Sequence, residues 1–133
     1  MAEFIAVAQT LTAGQDVNFQ GESRCCNVRH RNNSPLFTLK GNKKCDCTAK
    51  YKVCVHIVFT AVAAAPVQYV LTEDGIVLPE TLMAAVPAAV GETHSMSTVK
   101  EIPVDCDCAR VTLRAVTAAA PLTYATMDFQ RIS

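Results

Sequence analysis

From Tyr51 to Phe59 the apolar side chains fall on every second residue, Tyr51, Val53, Val55, Ile57 and Phe59, with Lys50, Lys52, Cys54 and His56 between them. A period of two puts one face of an extended strand in a core and the other outside it. A helix of the same residues would scatter the lysines around its circumference. The alternation returns at Val67, Tyr69 and Leu71, at Val111, Leu113 and Ala115, and at Ala125, Met127 and Phe129 against Thr126, Asp128 and Gln130. Shorter strands are predicted at 3–8, 16–20, 26–30, 36–40, 76–83 and 92–101. Turn-forming residues recur between the runs: Ala13-Gly14, Gly21, Asn32-Asn33-Ser34-Pro35, Gly41-Asn42, Glu73-Asp74-Gly75, Pro87 and Gly91,. About eight to ten short strands separated in this way imply an all-β sandwich or barrel, with residues 1–133 as a single domain.

Three alanine-rich pieces, 61–65, 84–89 and 118–120, run against this pattern, because alanine favours helix. Each contains or abuts a proline and is too short for a stable isolated helix. They are read as loops or strand ends packed closely on a neighbour, another subunit included.

Twelve Lys and Arg balance twelve Asp and Glu, so no net field steers the chain toward nucleic acid or an anionic membrane, and a nucleic-acid partner is not expected. No apolar run approaches the roughly 20 residues that span a bilayer as a helix. Met1 to Leu11 carries Glu3 and Gln9 without a basic leader, so neither a signal peptide nor membrane insertion is expected. Arg24, Arg29, His30 and Arg31 form the one pronounced basic cluster. It reads as a polar sheet edge or turn, with docking to an acidic protein or a glycan as the functional alternative.

Seven cysteines are grouped rather than scattered. Cys45-Asp46-Cys47 and Cys106-Asp107-Cys108 are matched elements, and two close thiol pairs offer four soft ligands for tetrahedral zinc. Disulfides between the elements, contributing about 2–4 kcal/mol, and free thiols are the competing readings. Cys25 and Cys26 are adjacent, so in a strand they face opposite surfaces. An odd number leaves at least one thiol unpaired or bonded between chains.

His30, His56 and His94 are the three imidazoles. Cys54 and His56 share a strand face, but such neighbours lie about 6.6 Å apart with no necessary hydrogen bond, and packing is the preferred reading. Glu73-Asp74-Gly75 fits a turn and lacks the ligand sequence of an EF-hand loop. There is no phosphate-binding glycine motif and no serine-nucleophile elbow.

Leu11-Thr12-Ala13-Gly14-Gln15 with Val17 and Phe19, His30 to Gly41 with its Leu-Phe-Thr-Leu-Lys-Gly ending, and Cys47 to Val53 follow one another in a familiar order. So do Glu73-Asp74-Gly75, Val86 to Glu92, and Val104-Asp105-Cys106-Asp107-Cys108. Over nearly the whole chain this pattern resembles the two-sheet antiparallel jelly roll of the C1q and tumour-necrosis-factor superfamily. The form resembled is the small one at the C-terminus of collagen-like exosporium glycoproteins, and more closely its stand-alone relatives from Firmicutes and their phages. Asn32-Asn33-Ser34-Pro35 departs from it, standing where a glycine-rich turn is usual, and 61–66 is unusually plain.

The resemblance implies a homotrimer in which one sheet lines the threefold axis, with Tyr124, Met127, Phe129 and Ile132 of the last strand at the seam. It also implies that the strand after Cys47 pairs with the strand before Cys106, bringing both cysteine elements to one end. The function expected is non-enzymatic: a phage capsid decoration or head fibre at the virion surface, because the domain starts almost at Met1 with no export leader or stalk. The alternative is a carbohydrate- or receptor-binding module on a phage fibre or on a bacterial or spore surface. It requires an exposed aromatic platform beside polar loops.

Overall fold

Alternation in the sequence becomes alternation in burial. A computed structural model of the chain describes residues 2–21, 28–41, 49–104, 108–117 and 120–132. The strands are β1 (Ala2–Ala6), β2 (Gln9–Leu11), β3 (Val28–His30), β4 (Phe37–Lys40), β5 (Ala49–Thr60) and β6 (Val67–Glu73). They continue through β7 (Ile76–Val77), β8 (Met83–Ala85), β9 (Thr93–Val104), β10 (Cys108–Ala115), β11 (Ala120–Leu122) and β12 (Tyr124–Arg131). In β5, Tyr51, Val53, Val55, Ile57 and Phe59 are all buried while Lys50 and Lys52 are exposed, as the period required.

Two antiparallel sheets form the sandwich. One has the order β1-β12-β5-β9; the other runs β3-β4-β10-β6-β7, with β8 also on β6. A small third sheet pairs β11 with β2. Between the two large sheets lies one core, in which Phe4, Phe19, Phe37 and Phe129 meet edge-on or tilted, the arrangement aromatic quadrupoles favour. His30 belongs to this core: its ring stacks on Phe37 at 4.3 Å and its nitrogens face the Gly21 and Ser34 carbonyls.

The turns carry the backbone signs their residues suggested. Asp74 and Gly75 have φ of 53° and 83°, the successive positive values of a type I′ hairpin turn, here joining β6 to β7. Asn33 has φ of 62°. Asparagine tolerates the left-handed region, which explains how it stands where glycine is usual.

Two strand expectations need correction. The 76–83 stretch is not one strand: Pro79, which has no N–H to give a ladder, opens a 3₁₀ turn (Pro79–Thr81) between β7 and β8. The 16–20 stretch makes only isolated bridges, Asp16 to Arg114, Phe19 to Ser34 and Gln20 to Ile5. Of the alanine-rich pieces, 61–66 is loop, while Ala84 and Ala85 belong to β8 and Ala120 to β11. Among the described residues no helix is long and apolar enough to cross a membrane.

Candidate assembly interface

The sheet β1-β12-β5-β9 has a second face, turned away from the core. Its register lines up rows of side chains: Glu3, Asp128, Cys54 and Val99 in one, Ile5, Thr126, His56 and Ser97 in the next, then Tyr124, Val58 and Ser95. Ile5 is 47% exposed, Tyr124 40% and Val99 58%, while Cys54, His56 and Val58 are half-buried by their neighbours. His56 and Tyr124 sit ring to ring at 6.2 Å. In the first row Asp128 holds one carboxylate oxygen enclosed and without a hydrogen-bond partner, so its polar groups are not all satisfied within one chain. The lysines stand off toward one end, where Lys52 is opposite Glu101 and Gln130.

The structure divides the seam residues expected on β12. Tyr124 and Ile132 are on the surface, Ile132 donating its N–H to the Lys50 carbonyl. Met127 and Phe129 are not: at 0% and 1% exposure they lie inside the chain's own core. The cause is the register, which puts Met127 between Phe4 and Val55, both of them core residues. The error was one of face, since β12 offers its even-numbered residues, Tyr124, Thr126 and Asp128, to the outside. Ile5 and Val99 were missed because single apolar residues on short or polar strands give no periodic signal.

Of the four paired cysteines the structure describes only Cys108, exposed at the start of β10 with a free thiol; Cys45, Cys47 and Cys106 lie outside the described residues. The strand ends beside them do meet as the resemblance implied, Ala49 opposite Val104 and Cys108 opposite Lys40. Among the described residues no cluster of three His, Cys, Asp or Glu is placed to hold a metal. Cys54 and His56 make no hydrogen bond to each other, and Cys54 also carries a free thiol. Arg29 and Arg31 are exposed on edge strand β3 and the turn that follows it. Arg24 lies outside the described residues.

No protein-family model matches the chain, and no curated protein sequence does. Solved structures do. The chain is similar to the globular domain of zebrafish complement 1qA, with 13% identity and a TM-score of 0.66 over 100% of this chain and 98% of that one. It is also similar to Eiger TNF from S. frugiperda, at 10% identity and TM-score 0.65, covering 94% of this chain and 89% of that one. The fold is a C1q/TNF-type jelly roll. Murine APRIL at pH 8.5 gives the same result, at 11% identity and TM-score 0.61 over 94% and 95% of the two chains.

Within this C1q/TNF-type sandwich a shallow groove of about 330 Å³ lies at one end, lined by Ala8, Gln9, Thr10, Thr60, Pro121, Leu122 and Thr123,. Its lining is uncharged. The Gln9 amide is already committed, donating to the Val7 and Asn18 carbonyls and accepting from Asn18.

Proposed function

We propose that the chain is a non-enzymatic jelly-roll module that assembles as a homotrimer and serves as a capsid decoration or head fibre at the surface of a phage particle. The observation that carries the reading is the outward face of β1-β12-β5-β9. Ile5 at its β1 edge, Val99 at its β9 edge and the neighbouring pair Tyr124 and Val58 set exposed or half-buried apolar side chains among the polar ones of this face, and such a surface is suited to a subunit contact. The trimeric arrangement that the C1q/TNF resemblance implies covers this same sheet, and a rigid β-domain built on one core suits a structural role.

Two measurements test it. Light scattering behind size exclusion should give three times the 14.3 kDa of the chain. Ile5→Asp, which places an unpaired charge on an already exposed position, should then release folded single chains. The particle role is tested by mass spectrometry of gradient-purified phage from a host carrying this gene. A chain that never sediments with particles overturns that part of the reading.

A second reading is favoured by one observation. Tyr124, the exposed aromatic among the described residues, directly follows Thr123 of the threonine-lined groove, the combination of platform and polar loop that a carbohydrate-binding module requires. Tyr124→Ala should abolish glycan binding if that role holds and leave it unchanged if it does not.

A further inference from the structure

We infer that the alanine-rich end of the sandwich is a self-association surface, on which a second trimer packs end to end. This inference rests on the homotrimer proposed above. The topology gathers at that end four segments that lie far apart in the sequence. Ala61 donates its N–H to the Glu92 carbonyl and accepts from Gly91, which ties 61–66 to 84–91. Gly14 donates to Ala115, and Ala115 to Gln15, which brings 12–15 beside 115–117. Val116 donates to Gln68, next to the start of β6, and closes the ring.

Not one residue in 12–15, 61–66, 84–91 or 115–117 is charged. The nearest charged groups are occupied within the chain: Asp16 with Arg114 at 3.1 Å, and Glu92 with His94 at 2.8 Å. Yet the end is apolar and open, with Val86 and Val90 each 69% exposed and Val62 58%. Monomeric soluble proteins rarely leave such a patch uncovered.

Charge decides the occupant. A charged partner would be desolvated against a surface that returns no countercharge, which is costly. A second copy brings an equally neutral, small-residue surface, so no like charges meet and backbones can approach closely. Residues 12–15, 62–66 and 88–91 are exposed throughout. Three copies around one axis therefore supply more than the roughly 20–30 residues a side of a stable interface. β1 starts and β12 finishes at the opposite end, where Ala2 pairs with Phe129 and Arg131 with Tyr51, so polypeptide attached to either terminus would not obstruct the contact.

Native mass and light scattering over a rising concentration series test this. Expected are six chains at high concentration, falling to three on dilution. The double substitution Val86→Glu with Val90→Glu should hold the mass at three chains at every concentration while the circular dichroism spectrum stays that of the wild type. Three chains at all concentrations, or six chains persisting in the double variant, overturn the inference and leave the trimer intact. Retention on neutral phosphatidylcholine vesicles, lost in the double variant and without any six-chain species, makes lipid the occupant and overturns it as well. Single chains throughout would remove the trimer, and the end-to-end contact with it.

Discussion

The two ends of the sandwich are served by the same strands and differ in almost everything else. One end gathers alanine, valine, proline and threonine without charge, joined by backbone hydrogen bonds between loops. At the other, Lys40, Glu73, Asp74, Arg110, Cys108 and Arg131 cluster around strand ends whose pairing fixes them, and Asp74 exchanges hydrogen bonds with Arg110. Each end has a buried tyrosine reaching a carbonyl: Tyr51 to Lys40 at 2.6 Å at the charged end, Tyr69 to Pro121 at 3.0 Å at the neutral end. The core dictates the strands, and the loops are then free to make one end polar and the other apolar. A fold of this kind can therefore change what it touches without changing what holds it up.

The harshest way to break the comparison is to remove what both ends share. Met127 is fully buried between Phe4 and Val55, so Met127→Asp should cost more than about 4 kcal/mol by burying an uncompensated charge. Both ends should melt together and assembly should vanish because folding does, seen as loss of the β spectrum at 25 °C. A folded but monomeric Met127→Asp would mean that Met127 faces the seam after all.

Removing one tyrosine hydroxyl at a time separates the ends. Tyr51→Phe and Tyr69→Phe should each cost about 1 kcal/mol by leaving a carbonyl without its donor, with amide exchange rising around Lys40 in the first and around Pro121 in the second. Alkali sharpens the difference. Burial pushes the Tyr69 phenol far above its ordinary 10.0 with nothing opposing it, whereas the burial that raises Tyr51 is resisted by the Arg131 guanidinium and by a hydrogen bond to it. A raised folded pKa gives stability that is complete below 10.0 and lost as pH rises beyond it. Alkaline unfolding, followed by tyrosinate absorbance, should thus start at the neutral end and shift upward in Tyr69→Phe more than in Tyr51→Phe.

What the sequence disclosed follows the same division. β5, β10 and β12 were legible because one face of each is apolar at three or more successive positions. The turn at Asp74-Gly75 was legible because few residue pairs accept two positive φ values. β2 and β11 were not, since three residues show no period, and alanine carries too little preference to tell loop from strand end at 61–66 and 84–89. Which face of β12 packs inward depends on its register with β1 and β5, a nonlocal fact; hence Met127 and Phe129 were assigned to the seam while Ile5 and Val99 went unnoticed.

Acid should move the two ends in opposite directions, and this is the smallest effect expected. At the neutral end Glu92 accepts from His94 Nε2 at 2.8 Å and from the Ala88 N–H at 3.1 Å, holding the 86–91 loop down. The hydrogen bond from His94, then that from Ala88, keeps the Glu92 carboxyl below its ordinary 4.5. A depressed pKa gives stability present above 4.5 and lost as pH falls through the folded value. Glu73, at the charged end, is raised by burial and then by the neighbouring Asp74, so the cost of ionising it disappears on acidification. Lowering the pH from 6 toward 3 should therefore lower the protection of the Ala88 amide, measured against its intrinsic exchange rate at each pH, while the protection of the Asp74 and Arg110 amides holds or rises. Glu92→Gln should remove the pH dependence at Ala88 and leave it unchanged at Arg110. Equal acid sensitivity at both ends would show that the loop 86–91 is held by its backbone bonds to Ala61 rather than by the Glu92 carboxylate.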